Sequence, residues 1–218
     1  MIITIDGPAG VGKSTVAQLL AKSLGFEFLN TGAMYRCAAL ASIEANIPLD
    51  QQAAIVEHVK KLHFEQQGNK ILLSGRDVSE RIRESDVTRL VSPIASIVPL
   101  RMVLIDWQKG FAAGRNIVTE GRDQGSVVFT HAECKIFLTA SPEIRAKRRT
   151  DELIAKGQTA DFEQILNDQI KRDELDANRP FGALRPAADA VILQSDQLSL
   201  EEVLSELLLI ARSKMHSL

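Results

Sequence analysis

A chain of 218 residues that is 45% hydrophobic and 25% charged can bury the core of one domain with a modest insertion. Its 26 basic side chains nearly balance 28 acidic ones, leaving a formal net charge of −2, so bulk binding to nucleic acid or to a membrane surface is not expected and any positive excess must be local. No run approaches the roughly 20 apolar residues that span a bilayer, and the first apolar run stops at Asp6 rather than forming a leader, so the expected compartment is the cytoplasm.

In chain order, "MIITI" reads as a buried strand over residues 1–5. The glycine-rich "GPAGVGKST" follows, and then "TVAQLLAKSL" places Val16, Leu19, Leu20 and Leu24 on one helical face, with Gly25 as its stop. Short apolar runs recur at "FEFLN", "NIVTEG", "CKIFLTA" and "AVILQ", separated by helical patterns, which is the alternation of βα units around a parallel sheet. Residues 62–84 break the alternation: two strand-like runs meet at Gly68-Asn69, predicting an antiparallel hairpin in a small insertion. Towards the C-terminus, Ser141 and Pro142 mark one helix start, Gly157 its end, and Ser199 with Glu202 has the spacing of a capping box. Cys37 and Cys134 stand far apart without metal-ligand spacing and read as small apolar residues in a reducing compartment.

Gly7, Gly12, Lys13 and Ser14 satisfy the P-loop pattern G-x-x-x-x-G-K-S/T, between a predicted strand and a predicted helix. In that context the backbone N–H groups of Gly7, Pro8, Ala9, Gly10, Val11, Gly12, Lys13, Ser14 and Thr15, less the proline, surround phosphate oxygens, Lys13 reaches the terminal phosphates and Ser14 offers its hydroxyl to Mg²⁺. A guanine-specific N-K-x-D is missing, since Asn69-Lys70 is followed by Ile-Leu. Arginines cluster instead: Arg36 follows the second predicted strand in "TGAMYR", Arg122 follows another in "EGRDQG", and "SPEIRAKRR" and "KRDELDANR" add more. Any one of these taken alone reads as a solvated surface residue. Placed after strands, where open α/β sheets bind ligands, they suit a second anionic substrate besides the P-loop nucleotide. The residues leave open a kinase for one of several small acceptors or a nucleotide-holding switch, although a switch needs no second anion site.

"ITIDGPAGVGKSTVA", "NTGAMYR", "GRDVSERIR", "EGRDQGSVVF", "KIFLTASPEIRAKRR" and "RD-x-x-D-x-x-R" together resemble the bacterial cytidylate (CMP) kinases, in order and spacing and over nearly the whole chain. The resemblance implies ATP-dependent phosphorylation of CMP and dCMP, with ATP and Mg²⁺ as cofactors and a monomeric enzyme. It implies a P-loop-type parallel five-stranded sheet flanked by helices, in one domain over 1–218. Within it lie a monophosphate-binding insertion at about 40–110 that contains the antiparallel hairpin and a helical lid at about 145–175. Carried over by residue, Gly7 to Thr15 would hold the ATP phosphates, Lys13 and Ser14 among them. Arg36, Arg122 and Arg172 would take the CMP phosphate, with Thr31 beside them. Ser92, Arg101 and Asp123 would read the cytosine, Asp176 and Arg179 would meet the ribose, and Arg145, Arg148 and Arg149 would close over the transferring phosphoryl group. The chain departs from the family pattern at Thr130-His131, at Arg76 and in "RPFGAL", none of which is an assigned position. The histidines His58, His63, His131 and His216 show no cluster, and Glu120 and Asp6 stand at strand ends beside the P-loop, suited equally to a metal-bound water and to structural hydrogen bonds.

Overall fold

Five short strands built from apolar and β-branched runs associate as one parallel sheet in the computed structural model, which describes residues 1–215; His216 lies outside the described residues. The strands are β1 (Ile2–Asp6), β2 (Glu27–Asn30), β6 (Ile117–Gly121), β7 (Cys134–Thr139) and β8 (Val191–Gln194), in the order β2-β6-β1-β7-β8. β1 pairs with β6 from Ile2↔Ile117 to Asp6↔Gly121 and with β7 from Ile3↔Cys134 to Asp6↔Phe137. The central strand therefore ends level with β6, while β7 runs two residues further, to Thr139, and the crossover loops leave the sheet at this edge.

By internal contacts the chain divides into two units, residues 1–28 with 115–218, and residues 29–114. In the first, α1 (Lys13–Leu24) and α8 (Leu200–Met215) pack with one another and cover the sheet: Val16, Leu20, Val203 and Leu207 join Ile3, Ile5, Ile136 and Leu138 in one buried cluster. Each such side chain contributes about 1.5–3 kcal/mol by leaving water. The expected helix signals act where they stand. Gly25, at φ 69°, ends α1. Ser141 Oγ accepts from Ile144 N to open α6 (Pro142–Ala155), and α7 (Phe162–Ala177) packs against α6. Ser199 and Glu202 exchange both bonds of the capping box, at 2.8 and 3.2 Å.

The second unit carries α2 (Thr31–Glu44), α3 (Gln52–Val59), α4 (Ser85–Ser96), α5 (Val98–Ala112) and a separate antiparallel sheet β3-β4-β5. The hairpin at Gly68-Asn69 joins β3 (Phe64–Gln67) to β4 (Lys70–Leu73), and β5 (Arg76–Asp77) adds a third strand too short for the sequence to announce. Trp107 of α5 stacks on Phe64 of β3 with ring centroids 5.9 Å apart. Between α4 and α5 the chain bends by 101° at Ile97. Pro99 is the cause, because it brings no N–H for the Ala95 carbonyl four residues back and its ring crowds that oxygen. Among the described residues no single helix is long and apolar enough to cross a membrane. Each unit holds one cysteine, Cys37 in the second and Cys134 in the first, both buried. Burial pushes the Cys37 thiol up to about 12 and the Cys134 thiol up to about 11.

Candidate active site

The loop after β1 leaves so close to the backbone of β7 that a Cβ at Gly7 would lie 2.0 Å from the Leu138 carbonyl oxygen. No side chain caps α1, and no acidic residue occupies its first turn. Its first N–H groups, beginning at Lys13, Ser14 and Thr15, thus lack intrahelical partners and point out of the helix, as an anion requires. Within the loop Ala9 and Val11 are buried and Gly10 and Gly12 exposed, so apolar anchors alternate with open backbone. Lys13 is 5% exposed and folds back to donate to Pro8 O at 2.7 Å. Burial pushes its ammonium pKa down to about 7, Arg122 and Arg172 push the same way, and Glu120 and Asp6 oppose them. Ser14 Oγ donates to Glu120 Oε1 at 2.9 Å.

The end of β6 supplies the next group. Arg122 Nε donates to Asp176 Oδ2 at 2.7 Å, and Arg179 pairs with the other oxygen of Asp176 at 2.5 Å, so one buried carboxylate at the end of α7 serves two guanidinium groups. Asp123 is 4% exposed and leads into a single π turn over Gln124–Val128, a local geometry that no periodicity in the sequence signals. Arg172 lies on the exposed face of α7.

The three arginines of α6 differ sharply from one another. Arg145 is buried: Nε donates to Ala140 O at 3.0 Å, Nη1 to Ala9 O in the P-loop at 2.8 Å, and Nη2 pairs with Asp173 of α7 at 2.6 Å. Arg148 donates to Ser195 Oγ and to the carbonyls of Ser195 and Leu198 in the loop after β8. Arg149 is surface-exposed and pairs with Glu152 at 2.7 Å. Asp173 was not singled out from sequence and Glu120 was left open between a metal-bound water and structural hydrogen bonds; their partners, Arg145 and Ser14, lie 28 and 106 residues away in the chain.

In the second unit Thr31 is buried at the start of α2, whose N-terminus is capped by Asn30 accepting from Ala33 N at 3.0 Å. Arg36, one turn on, donates from Nη1 to Ile82 O at 3.1 Å and Thr88 Oγ1 at 2.7 Å; burial and the like charge of Arg83 both lower its pKa. Ser92 is half-buried on α4. Arg101, 2% exposed, places its guanidinium 5.5 Å from the Tyr35 ring centroid and donates to Ala95 O at 3.3 Å, the carbonyl that Pro99 leaves without a helical donor. The bend between α4 and α5 and the seat of Arg101 thus have one origin.

A glycine loop after the central strand of a parallel sheet in this order, with basic groups gathered after the neighbouring strand, defines a P-loop kinase. A shikimate kinase from Bacteroides thetaiotaomicron has this fold at a TM-score of 0.50 and 13% identity, covering 97% of this chain and 98% of its own. The model of the cytidylate kinase family matches residues 3–213. The cytidylate kinase of Rhodopirellula baltica is 46% identical over 97% of this chain and 93% of its own length, and that of Carboxydothermus hydrogenoformans 45% over 95% and 96%. The chain belongs to the cytidylate kinase family.

Proposed function

We propose that the protein transfers the γ-phosphoryl group of ATP to CMP and dCMP, yielding ADP with CDP or dCDP. The observation that carries this is the uncapped N-terminus of α1 with Lys13 at the end of β1, together with Arg122 and Asp123 at the end of the adjacent β6. The loop from Gly7 to Thr15 holds the ATP phosphates through backbone N–H groups, and Lys13 leaves Pro8 O to meet the terminal phosphates. Arg36, Arg122 and Arg172 take the acceptor phosphate, with Thr31 adjoining. Asp176 and Arg179 meet the ribose. Residues 40–110 form the monophosphate-binding insertion, and 145–175 the lid that keeps water from the transferring group, with Arg145, Arg148 and Arg149 its cationic contribution. The enzyme acts as a monomer in the cytoplasm, in pyrimidine nucleotide metabolism.

Mg²⁺ fits the residues present: the Ser14 hydroxyl and the Glu120 carboxylate are hard oxygen donors 2.9 Å apart, and Mg²⁺ keeps most of its waters and takes few protein ligands. When bound it neutralises phosphate charge. Among the described residues no cluster of three His, Cys, Asp or Glu forms an all-protein cage. Chemistry then rests on alignment and charge. The acceptor phosphate oxygen is already anionic near neutral pH, so attack on the γ-phosphorus in line needs no side-chain base.

Base choice falls to Asp123, Ser92 and Arg101. A carboxylate only accepts hydrogen bonds, so Asp123 pairs with the 4-amino group of cytosine and meets the 4-carbonyl of uracil acceptor to acceptor. Turnover measured with CMP, dCMP, UMP and AMP, in the wild type and in Asp123→Asn, tests this reading. The wild type prefers CMP and dCMP, and Asp123→Asn lowers the CMP:UMP ratio of kcat/KM by about ten- to a hundredfold, the equivalent of a buried charged group losing its partner. A wild type most active on another monophosphate overturns the assignment of substrate. An unchanged ratio in folded Asp123→Asn moves base reading to Ser92 and Arg101.

A further inference from the structure

Asp6 is the last residue of β1, 3% exposed, and each of its carboxylate oxygens accepts one backbone N–H: Oδ1 from Gln124 at 2.8 Å and Oδ2 from Gly125 at 2.7 Å. Those two amides open the π turn that follows Arg122 and Asp123 directly. Upstream, Gly121 is held in the β1–β6 ladder opposite Asp6 itself. The two residues between, Arg122 and Asp123, are therefore tethered at both ends by one residue of the central strand.

The packing allows the turn little slack. Thr119 Oγ1 donates to Gln124 Oε1 at 3.0 Å, a Cβ on Gly121 would lie 2.7 Å from Gln124 Cγ, and a Cβ on Gly125 would lie 2.7 Å from Thr4 Oγ1. Thr4 and Asp6 are two apart on one strand and face the same side, so a small wall on β1 shapes the segment that carries Asp123. An asparagine at position 6 has the same size but turns one acceptor into a donor facing an N–H.

We propose that Asp6 is a positioning residue for base selection: its two bonds to the backbone of Gln124 and Gly125 set the direction from which Asp123 is presented. The proposal rests on the assignment of Asp123 to the base. Asp6 contacts no substrate in this scheme and acts through the turn.

The test is kcat/KM for CMP and for UMP in the wild type, Asp6→Asn, Asp123→Asn and Thr119→Val. Asp6→Asn is expected to raise KM for CMP and to lower the CMP:UMP ratio about tenfold, as one lost charge-assisted hydrogen bond transmitted through a stiff turn would do. Partial unfolding reduces both rates alike and leaves their ratio untouched, so a merely structural role does not move this readout. A wild-type ratio in Asp6→Asn beside a lowered one in Asp123→Asn overturns the role of Asp6 while the reading of Asp123 stands. A wild-type ratio in Asp123→Asn removes both. Where Asp6→Asn does not fold, Thr119→Val loosens the same turn from β6 without altering size: a ratio lowered a few-fold supports the proposal, and an unaltered one overturns it.

Discussion

Arg122 in the first unit and Arg36 in the second, each proposed as a phosphate ligand, rest in opposite electrostatic settings. Arg122 donates to a buried carboxylate that Arg179 also holds. Arg36 donates to a carbonyl and a hydroxyl, with Arg83 adding like charge nearby. On the proposed roles, an arriving phosphate would complete the charge around Arg36, whereas at Arg122 it would share a guanidinium whose Nε is already given to Asp176. The difference teaches that a list of basic residues does not rank their contributions; the partner each one must give up does.

The largest change expected lies on the donor side, which both arginines presuppose. Lys13→Ala should lower kcat by at least ~10³-fold, since a preorganised cation beside a developing charge in a dry site contributes several kcal/mol to the transition state. The fold should persist, because the Lys13 ammonium turns into the P-loop, donating to the Pro8 carbonyl, rather than into the apolar core. Steady-state turnover of folded Lys13→Ala at a near wild-type rate would break the scheme before the arginines matter.

Next in size is the contrast itself. Arg36→Ala should weaken CMP binding by about ten- to a hundredfold, as loss of a charge-assisted phosphate contact does. Arg122→Ala loses a phosphate contact and in addition leaves Asp176 with less compensation, so the double variant should lose less affinity than the two single losses together, a coupling that the double-mutant cycle reads. Calorimetric titration of CMP into Arg122→Ala, Asp176→Ala and the double variant decides it. Strictly additive losses would mean that Asp176 does not compete for Arg122.

The smallest effect concerns protons. Lys13 titrates near 7 when folded against 10.5 for the ordinary group, so between those pH values the unfolded chain holds a proton that the folded one lacks. Lys13 therefore makes the free protein less stable as pH falls from 10.5 towards 7, and the loss is complete below 7. ATP phosphates favour the charged form, so binding above pH 7 should take up protons, and this uptake should fade below pH 7. Titration of ATP in two buffers of different ionisation enthalpy at about pH 8 measures it. Uptake should vanish in Lys13→Ala and persist in Arg36→Ala; its absence in the wild type would show that Lys13 is already charged.

What the sequence made legible was local. The four apolar runs after the P-loop helix became β2, β6, β7 and β8, and Gly25, Ser141 and the Ser199–Glu202 pair ended or opened helices as their chemistry requires. Membership of the cytidylate kinase family was likewise legible, because its motifs are contiguous and correctly ordered. The partnerships were hidden. Arg145 reads as one of four similar cations in "RAKRR", and only folding shows it held by Ala9, Ala140 and Asp173 while Arg149 faces solvent. The π turn after Asp123 has no sequence period, since Asp6, 118 residues away from Gln124, shapes it. The bend at Ile97 could have been inferred from Pro99, but the use of Ala95 O by Arg101 could not.

The two cysteines give the molecule a property unrelated to its chemistry. Each thiol is sealed from solvent and held almost wholly protonated at neutral pH, and only the thiolate reacts readily with an alkylating reagent. Modification of Cys37 therefore waits for an opening of the second unit, and modification of Cys134 for an opening at the start of β7 in the first. A peptide map of the alkylated protein taken over time would register the two separately, so the native chain carries a clock for the breathing of each half without any engineered label.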